Sequence, residues 1–168
     1  MRAYVPITVD ALVNSPLTPT GTWDVPAGIV HTVTPQLVAA FPDADTEELE
    51  WVAFNAAADD SLALAAQNPG ATPLRAVLSV DVPDGAVTAL PPESENSVAS
   101  RGQTVAVPGA TVASLHVDEP AVGQLITAVQ RGGQFTQAQA RMLDDAHLLW
   151  YHPAEIAALV GDSRSVEK

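Results

Sequence analysis

The segment His116-Val117-Asp118-Glu119 places an imidazole and a carboxylate two residues apart, where a strand-like run hands over to a helix. In an extended chain, residues two apart face the same side, so His116 and Asp118 share a face. Such a pair can do acid–base work or hold a divalent ion. The C-terminal ends of strands are also where α/β proteins place ligand groups. The competing role is structural: Asp118 has the side chain to cap a helix whose first turn contains Pro120. Capping is the expected role, and the pair is the best localised site candidate.

A second block, DDAHLLWYHPAE from Asp144 to Glu155, holds two of the four histidines, one of three tryptophans and one of two tyrosines. Alternation puts Leu148 and Trp150 on one face of a strand and Leu149 and Tyr151 on the other. All four are apolar or amphipathic, so the strand is expected inside the sheet, with helices over both faces. Trp150 is then buried, and the Tyr151 hydroxyl sits at a polar boundary. A ligand cleft, where one exists, is expected at the end of this strand beside His116 and Asp118. His147 and His152 are five apart, which puts them on opposite faces of a strand, or about 140° apart on a helix. They are read as polar positions flanking the strand, not as joint metal ligands.

Asp60 is the third candidate, because it falls within an apolar helical stripe where an ionised carboxylate needs partners. The alternatives are a position at the rim of the interface, a hydrogen bond to backbone or arginine, or a functional carboxylate.

The elements that must position these residues follow from periodicity and capping. The clearest helix starts at Asp45, with Glu48 in capping-box spacing, and runs to about Gln67, where Asn68-Pro69-Gly70 stops it. One apolar stripe is Leu49, Val52, Ala53, Ala56, Ala63 and Leu64; the opposite one is Trp51, Phe54, Ala58, Leu62 and Ala65. A helix apolar on two faces is expected between layers, with Ala53 and Ala56 inaccessible and Trp51 mostly buried. Strands are predicted over Arg2–Thr8, Gly28–Val33, Leu74–Val82, Ala86–Leu90, Gln103–Val107 and Thr111–Val117. The continuous apolar run of the third predicts burial on both faces. Thr34 and Thr136 can each cap a helix, and a closing helix runs from Pro153 to Val160. Ser15–Gly28, rich in proline and threonine, reads as a loop, and Pro91–Gly102 as the most flexible one. The class is α/β or α+β: a single domain over residues 1–160, a mixed sheet with helices packed against it, and a flexible tail over 161–168.

Composition excludes more than it assigns. Twenty acids against seven bases give a net charge of −13 over 168 residues, so the lysines and arginines that nucleic acids and anionic membranes require are missing. Without cysteine there is no disulfide, thiolate metal site or cysteine nucleophile. No metal and no cofactor are expected, and none of the common phosphate-cradle, nucleophile-elbow or zinc-protease motifs occurs. No secretory leader is visible at the N-terminus, and no apolar run approaches the roughly 18 residues of a membrane helix. The cytoplasm is the expected address.

Four segments together, RAYVPIT, TEELEWVAFNAAADDSLAL, SLHVDEP and DDAHLLWYHPAEI, are similar to a family of small actinobacterial proteins whose function is undefined. The resemblance runs from Arg2 to Ile156 with gaps in the loops. It implies a bacterial, cytoplasmic, single-domain protein and supplies no activity. The preferred reading is a non-enzymatic acidic interaction or adaptor protein whose charge complements a basic protein partner. The alternative is a small enzyme or small-ligand binder with a His/Asp site at a strand end. A pocket lined by His116, Asp118 and an aromatic favours the alternative; a flat surface there favours the first.

Overall fold

The computed structural model describes residues 1–92 and 98–156. Among these residues eight strands form one sheet: β1 (Arg2–Ile7), β2 (Thr22–Val25), β3 (Gly28–His31), β4 (Ala76–Asp81), β5 (Val87–Ala89), β6 (Arg101–Thr104), β7 (Val107–Val117) and β8 (Leu149–Tyr151). The order is β2-β7-β4-β1-β3-β6-β5, and β8 pairs with the C-terminal end of β7. Where the sequence suggests a mixed sheet, every pairing is antiparallel, so of the two expected classes the fold is α+β. Among the described residues five helices accompany it, α1 (Val9–Asn14), α2 (Pro35–Ala40), α3 (Thr46–Gln67), α4 (Gly123–Gln130) and α5 (Gln137–Asp145), and a further one begins at 153. No helix among the described residues is long and apolar enough to cross a membrane.

The local signals account for the helices. Asp45 accepts from Glu48 N, and Glu48 accepts from Asp45 N, closing the capping box that starts α3. Thr34 and Thr136 cap α2 and α5. The closing helix begins with a turn at 153–156; its continuation, and the tail from Gly161, lie outside the described residues, as does the 93–97 part of the Pro91–Gly102 loop.

Alternation along the strands gives the sheet two unlike faces. Ala3, Val5 and Ile7 of β1, and Ala76, Leu78 and Val80 of β4, point into an apolar cluster that also holds Leu12, Trp23, Val25 and Leu115. Tyr4 and Val77 point the other way, onto the N-terminal half of α3 at Leu49, Ala53, Phe54 and Ala57. The C-terminal half of α3 packs through Ala65 on Ile126 of α4 and Leu143 of α5. With both faces covered, β4 is buried over its first five residues, as its apolar run predicts.

Ala53 and Ala56 are buried as expected, but each stripe is covered only in part: Ala63 and Leu64, at the end of the first, are exposed. Trp51 is 57% exposed, a correction to its expected burial, because the sheet meets α3 a turn further on, at Phe54. β2 lies inside the Ser15–Gly28 stretch that composition reads as loop. Its alternation is only four residues long, Trp23 and Val25 in, Thr22 and Asp24 out, and prolines flank it. Pro108-Gly109, expected to separate two strands, lies inside β7. There Gly109 takes φ +63, and its N–H donates to Asp24 of β2 across a register shift.

Candidate functional site

A cleft of about 690 Å³ opens between the N-terminal half of α3, the sheet and the α5–β8 segment. Its floor comes from strand register. Tyr4 of β1 pairs with Ser79 of β4, and Ser79 with Ser114 of β7, so three polar side chains from three strands form one cross-strand row. The next row holds Val77, His116 and Trp150, from β4, β7 and β8. One wall is a single helical face, Glu47, Glu50, Trp51, Phe54, Asn55, Ala58 and Asp59, spaced three and four apart as one side of α3 must be. Asp144, His147, Leu148 and Trp150 make the other wall.

Aromatic contacts set the interior. Phe54 meets the edge of Tyr4 at 5.9 Å and the His116 ring at 4.7 Å, and it stacks under Trp51 at 5.7 Å. Burial lowers the His116 pKa, so the ring is neutral near pH 7. Its Nδ1 is sealed from solvent and has no hydrogen-bond partner among the described residues. Burial, then the charge and hydrogen bond of Glu50, raises the Tyr4 phenol and keeps it protonated. Desolvation likewise raises the Asp59 carboxyl at the rim, against the pull of Arg75.

Asp118 does not cap the following helix. Its Oδ2 accepts from the Arg75 backbone N–H at 2.9 Å, and its Oδ1 from Arg75 Nη2 at 2.8 Å. The short 3-10 turn at 120–122 is preceded by Glu119, which makes no side-chain cap. Arg75 also donates to Ala146 O, tying the cleft's second wall to the sheet. Asp118 is therefore a buried counter-ion behind the cleft, and its oxygens are committed to Arg75 rather than to His116. The expected His/Asp pair is thus not assembled as an acid–base unit.

The β8 expectations divide. Trp150 lies on the cleft face beside His116, as proposed, but it is 56% exposed. β8 pairs only with β7 among the described strands, so it is an edge rather than an interior strand. Tyr151 faces the opposite side, half-buried against the apolar cluster, and does not line the cleft. His147 lines the cleft, whereas His152 accepts from Ala154 N in the final turn; both flank the strand as expected. Because Trp51 and Trp150 are more than half exposed, Trp51→Ala and Trp150→Ala are each expected to cost about 1 kcal/mol or less. Thermal melts check this, and a loss of several kcal/mol for either would show packing that the exposures do not.

Asp60 belongs elsewhere, at a second cleft of about 770 Å³ beside the C-terminal half of α3. It sits at the rim, 38% exposed, 3.1 Å from His31 Nε2 and 3.8 Å from Arg101 Nε. His31, which the sequence does not single out, continues the chain through Nδ1 to Ser100 Oγ at 2.7 Å. Ser, His and Asp in sequence suggest a nucleophile, but Ser100 is 0% exposed, so no substrate atom can reach it. The chain instead joins β3, α3 and the start of β6. Among the described residues, no three His, Asp or Glu side chains converge as metal ligands.

The protonation of His31 has a consequence for stability. Burial pushes its pKa down, against a smaller upward pull from Asp60. A carboxylate only accepts, so Nε2–H donates to Asp60 and Nδ1 accepts from the Ser100 hydroxyl. The unfolded chain protonates more readily, so this stability is whole above about pH 6.5 and declines as pH falls toward the lower folded value. The urea midpoint should be higher at about pH 7.5 than at about pH 5.5, with a smaller difference in His31→Gln. Equal midpoints would contradict the assignment.

An antiparallel sheet, roofed by one long helix with an aromatic, acid-rimmed cleft between them, defines an α+β protein with a ligand-sized site. The chain belongs to the DUF6912 family, described as a family of unknown function, which it matches over residues 1–160. No curated protein and no solved structure matches it.

Proposed function

We propose that this is a small-ligand-binding protein, working in the cytoplasm, whose site is the cleft between α3, the sheet and β8. The observation that carries the reading is the pair of exposed tryptophans, Trp51 and Trp150, on its two walls above a floor of buried polar side chains. Concave, mostly apolar sites with a few placed polar groups are the usual form of a ligand pocket. Binding is favoured over catalysis because Asp118 is held by Arg75, which leaves His116 without that carboxylate to orient it as a general base. A metabolite library screened by thermal shift tests it. Hits are expected for the wild type and not for the Trp51→Ala/Trp150→Ala double variant. A set of hits unaffected by the double substitution, or none at all, would overturn the reading.

A second reading keeps the acidic interaction protein. It is supported by β8, a three-residue edge strand that carries Trp150 and Leu149 outward. Such an edge can accept an added strand, and the acidic rim suits a basic partner segment. In that case the same double variant loses a protein partner rather than a metabolite.

A further inference from the structure

Resting on the ligand-binding reading, we infer that the occupant of this cleft is a small organic cation, carrying an ammonium group held between the tryptophan faces and the acidic rim.

Charge carries the first part of the argument. Two cations line the cleft, and each is already matched: Arg2 by Asp81 at 2.8 Å and Arg75 by Asp118 at 2.8 Å. Four further carboxylates line it, Glu47, Glu50, Asp59 and Asp144, and none forms a salt bridge with a described residue. Glu47 lies in the first turn of α3, where the helix dipole favours an acid. Glu50 and Asp59 lie beyond that turn, Asp59 within the pull of an Arg75 already paired to Asp118, and Asp144 lies in the last turn of α5, where the dipole disfavours an acid. The cleft therefore presents surplus negative charge to whatever enters, and it would repel an anion.

The aromatic groups carry the second part independently. Tyr4 and Phe54 are largely covered, but Trp51 and Trp150 leave more than half their surface open. Indole is the best ring for attracting a cation through its face. A tryptophan on each wall with carboxylates around the mouth is the arrangement that attracts alkylated ammonium groups, which offer charge and an apolar surface together. His116, neutral in its buried setting, adds no opposing charge.

The test uses the full, tag-free chain and three probes of nearly one shape. They are choline, its carbon isostere in which a quaternary carbon replaces the nitrogen, and the corresponding carboxylate. Binding is followed by NMR at the indole N–H signals of Trp51 and Trp150. Choline is expected to bind about tenfold tighter than the carbon isostere, with the carboxylate weakest, and added salt should weaken choline alone. Glu50→Gln and Asp144→Asn should each reduce choline binding several-fold and leave the carbon isostere unchanged. Equal binding of choline and the carbon isostere would overturn the cation inference while leaving the ligand-binding reading in place, as would tighter binding of the carboxylate. Failure of all three probes to move either tryptophan also overturns it. If the metabolite library then gives no cleft hit either, the ligand-binding reading falls as well.

Discussion

Asp118→Ala is expected to lower folding stability by about 3–5 kcal/mol, because it leaves the Arg75 guanidinium buried with its charge unmatched. Both partners are nearly inaccessible, with side-chain exposures of 7% for Arg75 and 0% for Asp118, so water cannot replace the carboxylate. The Arg75 backbone N–H loses its acceptor in the same step. The pair also fixes the second wall of the cleft through the Arg75–Ala146 bond, so amide exchange in the α5–β8 segment should rise along with the fall in stability. Removing both charges together, as in Arg75→Met/Asp118→Leu, should recover much of the loss, since a buried pair is often no better than an apolar replacement. Urea denaturation of the two variants beside the wild type decides it. A loss below about 1 kcal/mol for Asp118→Ala would place the pair in the class of solvated surface ion pairs.

Ser61→Ala should cost about 2–4 kcal/mol, although it removes one oxygen atom. Ser61 sits within α3 at 0% exposure, and its hydroxyl donates to Ile7 O at the end of β1 while accepting from Ala76 N at the start of β4. It is inserted where the β1–β4 ladder ends, pinning the helix to both strands. Alanine there leaves a carbonyl and an amide without the hydroxyl between them, each worth about 1–3 kcal/mol when buried and unpaired. Ser61→Thr keeps the hydroxyl and should retain more of the stability than alanine does. Denaturation in urea reads this, and an unchanged midpoint for Ser61→Ala would mean that the two strands re-pair directly once the hydroxyl is gone.

The helices were legible because their signals are local. Asp45 with Glu48, Thr34 and Thr136 each mark a helix start within a few residues, and each is a cap in the structure. The cleft was half legible. His116 and Trp150 were placed together, and they are cross-strand neighbours on one face. Tyr4, Ser79 and Ser114 were not seen, because their row exists only once β1, β4 and β7 are in register. The available trace was the polar alternation in Ser114-Leu115-His116-Val117 and the lone serine in the apolar run of β4. Local sequence makes Asp118 look like a cap for the same reason, its true partner lying 43 residues away. The burial expected of Trp51 and Trp150 failed differently. Large apolar residues occupy interiors often, but their exposure is not forbidden, and here it is two tryptophans on one cleft that are exposed.

The central claim is that ligand enters between Trp51 and Trp150. Three tryptophans give three indole N–H signals, and Trp23 is a built-in reference: it is buried under the opposite sheet face and donates to Ser15 O. A two-dimensional NMR titration of the wild-type chain with a screening hit should move the Trp51 and Trp150 signals together and saturably while Trp23 stays fixed. A ligand that shifts Trp23 and leaves the other two in place would contradict the account and put the site on the other side of the sheet.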